Sequence, residues 1–491
     1  MTPMEERKKP NLIHSFIQYF YGNFVVLLLG FLSLPLITRM LDTDEYGRTS
    51  MFQSVVTVIY IFAILGMDQA YIRYFYKENI DRRSLLKKCI TPALFIVFFL
   101  SLLYCVLAKH VNLFLFEKTG FDISLLVIVY TFLSVLERFF FLHIRMEQNG
   151  KLYSNMNILS KILYIVFLWG AFTILGNEFT VVLYAMTLSL GCTTGMIIIR
   201  YFYKEKRVEK KERQFYVPKK ELMKYGMPFV MTALMEWLLS SCDKYSLRIF
   251  STMSQVGIYA SAMQIMVILL TFKATFVAFW APIAMEKYEQ KTKEDCSSFF
   301  QEVFSKVQFL SLLAAFSLIL FKDVVVLLLG EKYRDAGYII PFLVFMPILS
   351  ILYEITSQGI KFKKKIRYYN YASAAAIVCN LGGNAILVPK FGALGAAMAT
   401  GITYILYFAM GSYFSKKCYP VAYEYKKTMF YVALLVVYGL YASFFDNDVI
   451  GVLFGIGGMA VITVMERKNV KEIGDFVWKV AKGIRKEKGK A

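Results

Sequence analysis

The chain alternates between apolar runs of about 20 residues, the length of helix that crosses a bilayer, and short polar segments. Lipid forces a spanning backbone to form helices or a closed barrel, and the short alternating segments of barrel strands are not visible. The runs lie near 16–38, 50–67, 89–108, 123–142, 155–175, 180–199, 225–246, 258–280, 304–321, 339–358, 371–388, 392–412, 428–445 and 449–465. The pattern predicts an all-α polytopic membrane protein with about 14 transmembrane helices.

The basic residues are distributed unevenly between the two sides of these runs. A net charge of +21 is also typical of nucleic-acid-binding proteins, but here about 43 of the 56 Lys and Arg residues fall in the termini and alternate loops. This is the positive-inside pattern, so that side, with both termini, is predicted to be cytoplasmic and no nucleic acid is expected. The apolar stretch near the N-terminus has no small-residue cleavage site after it, which predicts a first span rather than a removed signal peptide.

Residues for metal or nucleotide chemistry are sparse. The seven cysteines show no CxxC spacing, the three histidines lie far apart, and no GxxxxGK[ST] sequence is present. We therefore expect no metal site, no cofactor and no direct use of ATP.

The spans also suggest a duplication, because the first six and the next six match in layout, with a short outward turn followed by an inward amphipathic segment. The final two spans have no counterpart. The predicted domains are a six-helix lobe (1–199), a basic cytoplasmic linker (200–220), a second six-helix lobe (221–414), two additional transmembrane helices (415–466) and a basic cytoplasmic tail (467–491).

Four segments resemble a known family over nearly the whole chain in order. They are LDTDEYGRTS (41–50), DKYSLRIFSTMSQVGIYASAMQI (243–265), LLLGEKYRDAGYIIP (327–341) and the stretch 359–401. Together they resemble the polysaccharide transporters of the multidrug/oligosaccharidyl-lipid/polysaccharide (MOP) exporter superfamily, and among these the Wzx-type oligosaccharide flippases.

The resemblance implies two six-helix lobes that work by alternating access in the cytoplasmic membrane of a bacterium. The implied substrate is an undecaprenyl-diphosphate-linked oligosaccharide of O-antigen, capsule or exopolysaccharide, moved from the inner to the outer leaflet under H⁺ or Na⁺ coupling. The other implied partners are membrane lipids and the glycan polymerase and glycosyltransferases of the same pathway. Two alternatives stay open, a MATE-like multidrug antiporter and a glycan polymerase or ligase, although the short outer loops disfavour an enzyme.

Charged residues within or beside the spans are the candidate site, because a charge near the bilayer centre costs about 3 kcal/mol or more and usually faces a cavity or a partner. Lys273, in the middle of an apolar run, is the strongest candidate for a cation that binds the diphosphate. The candidate substrate-binding residues are Arg39, Arg73, Arg138, Lys161, Lys244, Arg248 and Lys273.

Carboxylates in the same regions are the candidate ion-coupling residues: Glu236, Asp243 and Glu354. Glu236, mid-span on the neighbouring helix, is the predicted partner of Lys273. Protonation of such a buried carboxylate would release the lysine and provide a coupling switch. Each residue also has a purely structural interpretation, either snorkelling to the interface or a structural ion pair.

Overall fold

The computed structural model describes residues 12–77, 80–205, 217–445, 448–475 and 478, and the regular secondary structure within these ranges consists of helices. The earlier helices are α1 (Leu12–Met40), α2 (Thr43–Ile64), α3 (Met67–Tyr74), α4 (Arg82–Phe116), α5 (Phe121–Met146), α6 (Gly150–Leu175), α7 (Phe179–Glu205) and α8 (Lys219–Phe250). The later helices are α9 (Met253–Gln290), α10 (Lys293–Leu320), α11 (Lys322–Val326), α12 (Ala336–Leu343), α13 (Phe345–Thr356), α14 (Gln358–Phe362), α15 (Arg367–Cys418), α16 (Tyr425–Phe444) and α17 (Asp448–Met465). Much of the predicted linker and tail lies outside the described residues.

The helices confirm an all-α polytopic membrane protein. Ten described helices are long and apolar enough to cross a membrane, or eleven if the pair Val449–Met465 and Arg467–Asp475, bent by 82°, is one span. Gly392 has a φ of 54° and a ψ of −130°, so it interrupts the 52-residue α15 where the second of the two spans predicted there begins. With both halves of α15, α1 and α8 included, the total agrees with the prediction of about 14.

The described chain forms two compact units. The first contains the residues up to Arg248 together with Thr252–Gly257, and the second contains Ile249–Ser251 and the residues from Ile258 onward. This grouping places most of α8 in the first unit, whereas the sequence assigns it to the second lobe. The lobe boundaries stay a prediction.

In the first unit, buried aromatic residues of α3 and α5, among them Tyr71 and Phe139, form one core with the start of α4. α2 is followed by Leu65 and Gly66, which have left-handed φ angles of 50° and 66°. This turn lies against α8, because a Cβ built on Gly226 would be 2.7 Å from the carbonyl oxygen of Gly66. Only glycine permits such an approach of two backbones.

In the second unit, the additional helices α16 and α17 are joined to α10 by a buried carboxylate. Glu466 is 4% exposed and lies 2.8 Å from the ammonium of Lys427. The hydroxyl of Tyr431 also donates to it, at 3.1 Å, and the amide of Asn469 links it to Ser305 of α10. A buried charge needs such partners, so this cluster fixes the additional spans to the unit.

Candidate substrate and ion-coupling site

The second unit holds a charge cluster made by α9, α13 and α14. Glu354 lies between two lysines: its Oε1 is 3.9 Å from Nζ of Lys273, and its Oε2 accepts from Nζ of Lys361 at 3.1 Å. The side chains of Lys273 and Glu354 are 28% and 21% exposed, so water reaches them only in part. With Glu354 ionised, the cluster has a net charge of one positive unit, which suits an anionic ligand.

Tyrosines of α13 and α15 border this cluster. The ring of Tyr353 lies 4.4 Å from that of Tyr407 and 5.7 Å from that of Tyr369, centroid to centroid. The hydroxyl of Tyr369 is 2.7 Å from Oγ of Ser357, and Nζ of Lys361 lies 5.9 Å from the Tyr369 ring. The sequence analysis named Glu354 and Lys273 but omitted Lys361, because Lys361 belongs to a lysine-rich loop in which no single residue is distinguished.

A polar network inside α15 is also absent from the sequence-based candidates. Asn380 and Asn384 are 1% and 0% exposed, and the Asn384 amide donates to Oδ1 of Asn380 at 2.9 Å. Thr400, on the other half of α15, lies 3.5 Å from the Asn380 amide and 3.4 Å from the hydroxyl of Tyr259. Two asparagines four residues apart in an apolar run share one helix face, which is the signal that could have identified them.

In the first unit, Arg138 of α5 binds Asp68 at the start of α3. Its Nε donates to Oδ2 of Asp68 at 3.1 Å, and Nη2 donates to the same oxygen. Arg73, a sequence-based candidate on the same helix, is exposed, whereas Asp68 is buried. Five residues of helix rotate a side chain by about 140° around the axis, so the two lie on different faces.

A second ionic network joins the opposite end of the first unit. Arg248 of α8 lies 3.1 Å from Glu117 and donates to the carbonyl of Phe114 at 2.6 Å. Glu117 also binds Arg48, which pairs with Glu45 at 2.6 Å. Of these residues only Arg248 was predicted from the sequence, because the others lie in turns and helix ends where charged residues are common.

The remaining candidates occupy several parts of the first unit. Arg39, Arg73 and Glu236 are exposed, Asp243 is buried, and Lys161 and Lys244 are half-buried. Nζ of Lys161 lies 4.7 Å from the centre of the Tyr164 ring, within cation–π range. The structure thus brings Lys273 and Glu354 together in the second unit. The other eight candidates belong to the first, so the pairing of Glu236 with Lys273 stays a prediction.

Comparisons with known proteins agree with this architecture. A family model described as "Polysaccharide biosynthesis protein" matches residues 12–283. A probable low-salt glycan biosynthesis flippase, Agl15, of Haloferax volcanii is 21% identical over 462 residues, covering 93% of this chain and 95% of that protein. An uncharacterized membrane protein of Methanocaldococcus jannaschii is 25% identical over 494 residues, covering 90% and 96%.

Two solved structures show the same fold. The lipid II flippase MurJ in an inward closed conformation matches with a TM-score of 0.68 and 15% identity, over 92% of this chain and all of that one. An inward-facing multidrug resistance MATE family transporter of the MOP superfamily matches with a TM-score of 0.62 and 16% identity, over 80% and 94%. At these identities the matches establish the fold alone.

Proposed function

Because the chain belongs to the polysaccharide biosynthesis protein family, we propose that it is a flippase for lipid-linked oligosaccharides. The proposed substrate is an undecaprenyl-diphosphate-linked repeat unit, which moves from the inner to the outer leaflet of a bacterial cytoplasmic membrane by ion-coupled alternating access. The glycan flippase of Haloferax volcanii, similar over 93% of this chain, supports the glycan assignment.

The cluster of Lys273, Glu354 and Lys361 is the observation that carries the proposal. A diphosphate is an anion, and the ammonium groups of lysines bind it as point charges. Because water reaches this site only in part, the attraction is stronger than in bulk water. The lipid tail stays in the bilayer, so only the diphosphate and the sugars need a polar path. We assign the diphosphate to Lys273 and Lys361.

The position of Glu354 between the two lysines supports the proposed ion coupling. Protonation of its carboxylate, or binding of Na⁺ to it, would remove its attraction for both ammonium groups and leave them free for the diphosphate. Departure of the ion would restore the two ion pairs and release the substrate. Binding of the ion would therefore favour binding of the substrate through one carboxylate, and this links the two binding equilibria.

A multidrug antiporter is the rival function, and the MATE-like fold is compatible with it. The net positive charge of the cluster favours an anionic ligand over the cationic drugs that such an antiporter would export. We would reconstitute the protein in proteoliposomes and compare flipping of a fluorescent undecaprenyl-diphosphate oligosaccharide with export of a cationic dye. Flipping without dye export is the expected result. Dye export without flipping would contradict the proposal.

A further inference from the structure

A cleft in the first unit has no part in the site described above. It lies between the last turns of α5 and α7 and the start of α6, and its space of about 370 Å³ is open to the outside. Phe140 and Ile197 contribute apolar wall, and His143, Glu147, Arg200 and Lys204 contribute charge or hydrogen-bonding groups. This end of the unit is the one that the distribution of Lys and Arg predicts to be cytoplasmic.

The two cations of the cleft lie one turn apart on α7. Lys204 is 60% exposed and donates to Oε1 of Glu147 at 2.7 Å. Arg200 is exposed, and within the described part of the chain it has no ion-pair partner. The cleft therefore presents a guanidinium to solvent or to the membrane surface, beside an ammonium that is held in place by one carboxylate.

His143 forms the inner wall and is fixed by its neighbours. The hydroxyl of Tyr71 lies 2.7 Å from Nδ1 of His143, and burial raises the pKa of Tyr71, so the hydroxyl keeps its proton. Nε2 of His143 is 3.6 Å from Glu147, an electrostatic contact longer than a hydrogen bond. His143 is thus held by its contacts with Tyr71 and Glu147, whereas Arg200 remains exposed.

We propose that this cleft binds the phosphate of an anionic phospholipid headgroup. A guanidinium binds phosphate oxygens through two parallel hydrogen bonds, and basic pockets between spans on the cytoplasmic side favour anionic headgroups. Arg200 binds the phosphate, and Lys204 shares its ammonium between the phosphate and Glu147.

The surroundings favour a lipid over a soluble phosphate. α7 exposes apolar side chains along the turns that lead to the cleft: Met196 is 48% exposed, Ile199 72% and Phe202 49%. In a spanning helix such a face lies against acyl chains. A phospholipid whose tails follow this face has its phosphate at the level of Arg200.

The test is binding of phosphatidylglycerol and of neutral phosphatidylcholine to the purified full-length protein, measured by native mass spectrometry. Phosphatidylglycerol should bind more tightly than phosphatidylcholine. Arg200→Gln should weaken it about tenfold, the loss expected for a hydrogen-bonded charge contact. Glu147→Gln should tighten it, because the carboxylate repels the phosphate and competes for Lys204.

Arg145→Gln is the matched control. Arg145 is exposed, lies in the last turn of α5 at the same end of the unit and is not part of the cleft wall, so its loss changes net charge equally. An equal effect of the two arginine variants, or equal binding of the two lipids, would overturn the site. Glycerol phosphate that binds as tightly as phosphatidylglycerol would overturn the lipid assignment. Unchanged thermal unfolding of Arg200→Gln separates lost binding from lost folding, and no readout depends on transport.

Discussion

The carboxylate of Glu354 lies 3.9 Å from the ammonium of Lys273, although the two residues are about 80 positions apart in sequence. At this distance and with partial burial, the attraction is on the order of 4 kcal/mol before desolvation is subtracted. The two residues are not neighbours on one helix. They form a pair because α9 and α13 belong to the same folded unit. It is a contact of the tertiary structure.

Removal of the charge at Glu354 should make the rate of flipping independent of the ion gradient. In Glu354→Gln the lysines keep their charges but lose the group whose protonation or cation binding releases them. We expect flipping that no longer accelerates under an imposed H⁺ or Na⁺ gradient, measured in proteoliposomes. A gradient response equal to that of the wild type would remove Glu354 from the coupling step.

The glycine contact between the turn after α2 and helix α8 should tolerate no side chain. A Cβ on Gly226 meets the backbone of Gly66 at 2.7 Å, whereas a Cβ on Gly195 of α7 meets nothing within 4 Å. We expect Gly195→Ala to stabilise the protein by about 0.5–1 kcal/mol and Gly226→Ala to destabilise it by about 1–3 kcal/mol. Thermal unfolding in detergent measures both. Equal shifts would show that the two backbones do not meet.

Arg138 and Asp68 should be energetically coupled. Asp68 is 7% exposed, so its carboxylate depends on the guanidinium for compensation. A double-mutant cycle of Asp68→Asn and Arg138→Gln should give a coupling energy of about 0.5–3 kcal/mol in thermal unfolding. The same cycle with Arg73→Gln should give a value near zero, and a comparable coupling for Arg73 would refute the assignment.

The predicted topology can be tested with cysteine labelling in a background without the seven native cysteines. Lys365→Cys lies in the loop before α15, on the predicted cytoplasmic side, and Lys332→Cys lies in the loop between α11 and α12, on the predicted outer side. A membrane-impermeant maleimide should label position 332 in intact cells and position 365 only after permeabilisation. The reverse pattern would invert the orientation.

The helical architecture was predictable because lipid leaves few alternatives. Runs of about 20 apolar residues locate spans whatever their partners are, and the interruption of α15 follows from Gly392 and the nearby Pro389. Span ends were less certain: α9 continues to Gln290 and α10 begins at Lys293, whereas the predicted spans end at residue 280 and resume at residue 304. Charged residues are tolerated in the polar interface of the membrane. The apolar pattern therefore does not show where a long helix ends once it has left the hydrocarbon core.

Partners of charged side chains were mostly not predictable. Arg138 was identified as a candidate, yet its partner Asp68 is 70 residues away in sequence. Lys361 and Arg48 resemble ordinary interface cations in the sequence, and only the packing of helices places carboxylates beside them. Long-range pairing depends on how helices rotate about their axes, and a single sequence contains no direct record of that rotation.

The most direct test of the account is gradient-driven flipping of a fluorescent undecaprenyl-diphosphate oligosaccharide by wild-type protein and by Lys273→Ala. Lys365→Ala, an exposed lysine four residues from Lys361, is the matched control for loss of one positive charge. We predict flipping by the wild type and the control, and a loss of about tenfold or more in Lys273→Ala, because an ammonium–phosphate contact in a partly dry site is removed. Equal flipping by all three folded proteins would contradict the assignment of Lys273 as the diphosphate-binding cation.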